Sequence, residues 1–385
     1  MVLKASRRGQ IPPFIVMDVL REANRRQAAG KDIIHLELGQ PQTGAPRAAI
    51  AAARRALDSD TLGYTEAFGL MSLRRRIAEH YAATQKISVT PDNIVITTGS
   101  SAGFVLGFTA AFDAGDRVAL AAPGYPGYRN ILLAQDIEPV AVPTGPETRF
   151  QPTPSLLDKI DGQLDGLIVA SPSNPAGTML GEAEMRALAE YCRDRGIRLI
   201  SDEIYHGVTY SQDGISALRY GRDAIVVNSF SKYFSMTGWR IGWMIVPDDL
   251  LRSVECLAQN LYISAPTLAQ IAADAVFDCT EELDANVARY ATNRGILLDG
   301  LPTAGFDRLA SADGAFYIYA DVSRLANDSE AFCRCMLDET GIATTPGIDF
   351  DADRGNAYIR FSFSGATDNI IEAVRRLNAW NTAPG

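Results

Sequence analysis

The chain has 385 residues, 47% apolar and 21% charged, with 36 Lys and Arg against 46 Asp and Glu, a formal net charge of −10. That length supports two units sharing a large core, and the composition is that of an ordinary globular protein. The acidic balance, with no basic block beyond short runs such as Arg74-Arg75-Arg76, argues against nucleic acid as a partner.

The segment Ile11-Pro12-Pro13-Phe14 cannot be helical and reads as an extended arm. A helix is expected from about Val16 to Ala29, closed by Gly30. Ile33 to Leu38 reads as a strand running into the turn Gly39-Gln40-Pro41. An alanine-rich helix from Ala45 to Leu57 follows, then Gly63-Tyr64-Thr65, then a second helix opening at Gly69 to Arg74.

From Asn93 onward short apolar runs alternate with amphipathic segments, the pattern of parallel β-α units. Ile94 to Thr98 is a strand, and Gly99-Ser100-Ser101-Ala102-Gly103 turns into a helix from Phe104. Small residues at such a turn expose a helix N-terminus, whose free N–H groups favour an anion. Arg117 to Ala122 is the next strand, ending in Pro123-Gly124-Tyr125-Pro126-Gly127-Tyr128. Leu167 to Ala170 is another, ending in Ser171-Pro172-Ser173-Asn174-Pro175-Ala176-Gly177. An asparagine there can donate to a phenolate oxygen without adding charge. It is equally the residue of a plain Asn-Pro turn.

The helix Glu182 to Arg195, closed by Gly196, leads to the strand Ile197 to Ser201 and then Asp202-Glu203-Ile204-Tyr205. An acidic residue just past a buried strand suits a cationic ring nitrogen. Glu203, next to Asp202 on extended backbone, points the other way, and His206 reads as structural.

The strand Ala224 to Val227 runs into Asn228-Ser229-Phe230-Ser231-Lys232, with Arg240 further on. A lysine at a buried strand end is costly to desolvate unless it loses its charge or is bound covalently. The hydroxyls of Ser229 and Ser231 and the guanidinium of Arg240 are what a phosphate needs. An amine nucleophile beside a phosphate cradle suggests pyridoxal 5′-phosphate held as a Schiff base.

Further elements are a strand at Arg240 to Pro247 and helices at Asp248 to Gln259, Pro266 to Ala275 and Asn286 to Leu301. The rhythm then changes, with strands at Gly314 to Tyr319 and Tyr358 to Ser362 and helices at Ser329 to Glu339 and Asn369 to Trp380. Arg360, inside an aromatic and aliphatic strand, needs an anionic partner. Five scattered cysteines give no disulfide framework, and His35, His80 and His206 fit no zinc spacing, so no metal is expected. The basic start precedes no apolar h-region, and no run reaches membrane length; a cytoplasmic chain without a membrane partner is expected.

The run Ser-Phe-Ser-Lys, followed by Gly-Trp-Arg-Ile-Gly-Trp, resembles the cofactor-lysine signature of class I/II, fold-type-I pyridoxal-phosphate aminotransferases, the aspartate aminotransferase superfamily. The resemblance extends in family order from the arm to Arg360. It implies a three-layer α/β fold with a mostly parallel central sheet in a large domain, plus a smaller α+β domain. The expected division is 1–44 for the arm and part of the small domain, 45–280 for the cofactor domain and 281–385 for the C-terminal small domain.

By resemblance Lys232 carries the cofactor and moves the proton, while Asp202 serves the ring nitrogen and Asn174 and Tyr205 the 3′ oxygen. Tyr125 stacks on the ring, and Ser100, Ser101, Ala102, Ser229, Ser231 and Arg240 hold the phosphate. Tyr64 reaches the phosphate of the partner in a homodimer, and Gly39, Asn174 and Arg360 take the substrate.

The implied reaction is ping-pong transfer of an amino group between an L-amino acid and a 2-oxo acid. The stretches 11–14, 39–40 and 100–104 hold no Lys or Arg, which favours a neutral or apolar donor, with aspartate the rival. Carbon–sulfur β-elimination on the same scaffold is the alternative. A non-catalytic regulator would be expected to carry a DNA-binding module ahead of residue 11, where no segment is large enough for one. A nicotinamide-dependent dehydrogenase would need a Gly-x-Gly-x-x-Gly turn that this chain lacks.

Overall fold

In the computed structural model, which describes residues 3–380, the arm leads into α1 (Ile15–Ala28) and the two-residue strand β1 (Ile34–His35). The end residues of the expected first and last units, 1–2 and 381–385, lie outside the described residues. Helices α2 (Arg47–Ser59) and α3 (Met71–Thr84) precede β2 (Ile94–Thr97). The β-α rhythm then gives α4 (Ser100–Ala111), β3 (Arg117–Ala122), α5 (Pro126–Ala134), β4 (Glu138–Pro143), α6 (Pro154–Leu157) and β5 (Gly166–Ala170). It continues through α7 (Glu182–Arg195), β6 (Arg198–Asp202), β7 (Ile225–Ser229) and β8 (Gly242–Ile245).

These strands make one seven-stranded sheet in the order β2-β8-β7-β6-β5-β3-β4, parallel except for β8, which runs antiparallel to both β7 and β2. Strands β5 to β7 are buried along nearly their whole length, as a parallel sheet covered on both faces requires. Phe104, Leu106 and Phe108 of α4 fill one face, while Leu73, Ile77, Phe230 and Trp243 fill part of the other.

After β8 come α8 (Leu251–Leu261), α9 (Thr267–Asp274) and the long α10 (Thr280–Thr303). Then follow β9 (Tyr317–Asp321), α11 (Ser329–Thr340), β10 (Ile342–Ala343), β11 (Thr345–Pro346), β12 (Tyr358–Ser362) and α12 (Thr367–Ala379). Antiparallel β11-β12-β9 form a second sheet, and β1 returns from the N-terminal side to pair with β10. The mixed α/β fold with a mostly parallel central sheet is therefore as the resemblance implied.

Several elements differ from expectation. The strand expected over 33–38 is ladder-paired only at Ile34–His35, because its neighbour β10 is itself two residues long. The helix expected from Phe104 starts at Ser100, where Gly99, at φ +80°, breaks the chain direction and frees the first turn. The helix expected over 286–301 begins at Thr280, with Glu281 and Glu282 in its first turn where the dipole favours them.

Candidate active site

The sequence places its chemistry at strand ends, and the sheet topology gathers those ends on one edge. Ser100 follows β2, Tyr125 follows β3, Asn174 follows β5, Asp202 ends β6 and Lys232 follows β7. Arg240 precedes β8, and because β8 alone runs backwards, its start lies at that same edge. Ligands of open α/β sheets bind outside the carboxyl ends of the strands. A cavity of about 170 Å³ lies here, and its lining includes Gly39, Ser100, Ser101, Tyr125, Asn174, Asp202, Tyr205, Ser231, Lys232, Arg240 and Arg360. A larger groove of about 720 Å³ opens at the opposite edge, beside Asp165 and Arg198. Its arginines are engaged, Arg198 with Asp249 and Arg193 with Asp223, so size alone does not mark the site.

Lys232 Nζ donates to the Gly39 carbonyl at 2.7 Å. Enclosure and the positive charges of Arg360 and Arg240 hold its pKa down to about 8, against the pull of Asp202. Asp202 is 3% exposed, and burial pushes its carboxyl up to about 6 although it accepts from Tyr128 Oη and the Ile204 N–H and feels Lys232. In both groups desolvation outweighs their mutual attraction. Glu203, as expected, points behind the sheet, accepting from Ser201 Oγ at 3.1 Å and the Ala217 N–H at 3.0 Å. His206 lies in that same buried layer, 3.6 Å from Glu203.

Arg360 is 3% exposed and gripped from several sides. Its Nη1 donates to Asn174 Oδ1 at 2.7 Å, while Nη2 donates to the Glu37 carbonyl and to Thr345 Oγ1. Its Cζ lies 4.2 Å from the Tyr317 ring centre and 4.8 Å from that of Phe350, and its Nε is buried with no partner among the described residues. A buried guanidinium with an unused donor calls for an anion. Asn174, with its oxygen held by Arg360, keeps its amide N–H group as a donor.

At the other end of the cavity, Arg240 sits against the first turn of α4. A Cβ on Gly99 would lie 2.4 Å from Arg240 Nη2, so any larger residue there would be strained at φ +80° and would push the guanidinium from its place at that helix N-terminus. Arg240 Nη1 donates to the Thr237 carbonyl at 3.0 Å, and the residue is exposed. Arginine, helix N-terminus and hydroxyls together fit a phosphate. Between the two ends lies Tyr125, its ring edge-on to Phe14 at 5.7 Å and to Tyr128 at 5.1 Å. Asp202, buried and raised, suits a cationic ring nitrogen that would restore its charge. The residues present thus fit pyridoxal 5′-phosphate.

Three expected residues stand apart from this lining. Ala102 returns its N–H to the Gly99 carbonyl at 3.2 Å, so its amide is spent in the first helical turn. Ser229 accepts from the Ser231 N–H at 3.0 Å and donates to the Ile241 carbonyl, which turns its hydroxyl into a brace for the lysine turn. Tyr64 is 82% exposed on the outer surface. Sequence reasoning missed Tyr128, Tyr317, Phe350 and Asp349. Asp349 accepts from the Ile15 and Val16 N–H groups at 3.1 Å each and thereby seats the start of α1 near the cavity. Tyr128 carried a usable signal, since Pro126 at a helix N1 position puts residues 125 and 128 one turn apart.

The model for "Aminotransferase class I and II" matches residues 31–377. A valine–pyruvate aminotransferase of Mycobacterium tuberculosis is 52% identical over 377 residues, 97% of each chain. The crystal structure of an aminotransferase from Mycobacterium tuberculosis superposes with a TM-score of 0.97 at 51% identity, covering 98% of this chain and 99% of the other. Aspartate aminotransferase from Thermus thermophilus with maleate superposes with a TM-score of 0.92 at 30% identity, covering 98% of this chain and 100% of the other.

Proposed function

The chain belongs to the class I and II aminotransferases, a pyridoxal-phosphate-dependent family, and from that premise we propose how its own residues divide the work. It is a transferase that moves an amino group between a neutral amino acid and a 2-oxo acid. We assign valine, alanine and their like as donors and pyruvate as an acceptor. The observation that carries this reading is the cavity's charge. Lys232, Arg240 and Arg360 are its cationic residues, and among the described residues no further Lys or Arg lines it. An amino acid has one α-carboxylate for Arg360, so a second carboxylate would be desolvated without a partner.

Pyridoxal 5′-phosphate, when bound, supplies an electron sink that acidifies the substrate α-carbon. Arg240, Ser100, Ser101 and Ser231 hold its phosphate, with Ser229 and Ala102 shaping that cradle from behind. Asp202 keeps its ring nitrogen protonated, Tyr125 lies against its ring, and Asn174 and Tyr205 donate to its 3′ oxygen. Arg360 orients the α-carboxylate, and Gly39 brings the arm's backbone against it. Lys232 holds the cofactor covalently at rest; its Nζ, once released, moves a proton off the α-carbon. Its lowered pKa supports that task, since the amine is neutral at mildly alkaline pH. The order is ping-pong, the first 2-oxo acid leaving before the second enters.

The site draws on all three proposed divisions, with Gly39 from 1–44, Lys232 from 45–280 and Arg360 from 281–385. We further propose a homodimer in which Tyr64, exposed in one protomer, reaches the phosphate of the other. No described helix is long and apolar enough to cross a membrane, in line with a cytoplasmic enzyme.

A half-reaction screen tests the substrate reading. Each amino acid is mixed with cofactor-loaded protein, and loss of the visible band is followed together with 2-oxo acid release. Valine and alanine should turn over faster than aspartate. Aspartate far ahead of them would overturn the neutral pocket, and pyruvate with ammonia from cystathionine would reassign the chemistry as a lyase.

A further inference from the structure

Resting on the cofactor reading above, we propose that Tyr317 is a positioning residue that joins the cofactor side of the site to its carboxylate side. Three contacts meet on it. Its hydroxyl pairs with that of Tyr205 at 2.7 Å. Its ring forms one wall of the aromatic slot around Arg360, 4.2 Å from the guanidinium carbon, with Phe350 as the other wall. A Cβ on Gly39 would lie 1.6 Å from the Tyr317 hydroxyl oxygen, so this hydroxyl fills the space that a side chain would take. Gly39 is the residue whose carbonyl accepts from Lys232 Nζ.

The β9-β12 register explains the meeting. Arg360 lies opposite Tyr319, so Tyr317, two residues before, is its diagonal neighbour on the same sheet face. Burial at 2% exposure fixes the ring there.

The hydrogen-bond inventory then sets the direction. A tyrosine has one proton to donate. If Tyr205 gives its proton to the cofactor's 3′ oxygen, its own oxygen must accept, and Tyr317 is the donor in contact. Burial keeps both phenols protonated through the working range. Donor chains of this kind polarise one another in a low-dielectric site. Tyr317 therefore strengthens Tyr205 as a donor while its ring holds Arg360.

The test uses the holoenzyme and reads the pH titration of its visible band. Tyr317→Phe keeps the ring and removes the hydroxyl; fewer effective donors let the 3′ oxygen hold its proton to higher pH. The band's pKa should rise by about half a unit. Tyr205→Phe should raise it further, and the double variant should match Tyr205→Phe alone, because Tyr317 acts through Tyr205. Tyr317→Leu, which removes one wall of the slot, should raise KM for the amino acid roughly tenfold, with kcat changing less. A Tyr317→Phe protein that binds cofactor and titrates like wild type overturns the role, as does a double-variant shift equal to the sum of the singles. A wild type with no visible band overturns the cofactor reading, and this role with it.

Discussion

Asp202 has two opposed states in this account. Without cofactor it is a buried carboxyl raised to about 6; beside a cationic ring nitrogen it is a carboxylate. A folded pKa above the unfolded value of 3.8 means that the folded state binds more protons between those values. Stability of the cofactor-free protein therefore falls as pH rises from about 4 to about 6, by at most about 3 kcal/mol. Asp202→Asn should remove that part of the pH dependence, measured by urea midpoints across the window. An unchanged slope in the variant would contradict the assigned burial. Arg360 makes a second residue-scale prediction. Lysine cannot reproduce a bidentate fork between two rings. Arg360→Lys should raise KM for every amino donor by about 10- to 100-fold, in steady-state kinetics, without altering the ranking of side chains.

At the scale of elements, the site depends on how closely α4 approaches the sheet. A Cβ on Gly103 would lie 3.2 Å from Val227, and one on Gly99 would strike Arg240 at a backbone angle that alanine adopts with strain. Gly99→Ala should weaken pyridoxal phosphate binding at least tenfold in a fluorescence titration while leaving the far-ultraviolet circular dichroism unchanged. Equal affinity would mean that the Arg240 cradle does not hold the phosphate.

The same elements show what the sequence made legible. Strands β5, β6 and β7 could be read because each is a short apolar run with punctuation at its end, and Asn174, Asp202 and Lys232 are that punctuation. Helix α5 was not legible, since Pro123-Gly124 and Pro126-Gly127 look like loop; Pro126 instead starts the helix, where its missing N–H costs nothing. Edge strand β4 hid behind Pro139 and Pro143, which an edge tolerates. The partners of Arg360 were invisible for another reason: Asn174 is 186 positions away and Glu37 is 323. At Ser229 the turn-bracing bond was invisible, because a hydroxyl that faces a phosphate and one that braces a turn have the same sequence.

At the scale of the whole molecule, the exposed Tyr64, Leu261 and Ile263 lie on segments joined by the Thr267 Oγ1 bond to the Gly63 carbonyl at 2.6 Å. A second copy covering this face would carry Tyr64 towards its neighbour's phosphate. Sedimentation of the loaded enzyme at micromolar concentration should give a dimer, and Tyr64→Ala should lower cofactor affinity without changing the dimer. A monomer that transaminates at full rate would rule the shared site out.

The central claim is that Lys232 holds pyridoxal phosphate, and covalent mapping tests it most directly. The purified protein, loaded with cofactor and reduced with borohydride, should lose its yellow colour and yield a single modified peptide containing Lys232. Modification at any other lysine, or protein that gains no visible absorbance with added pyridoxal phosphate, would contradict the account.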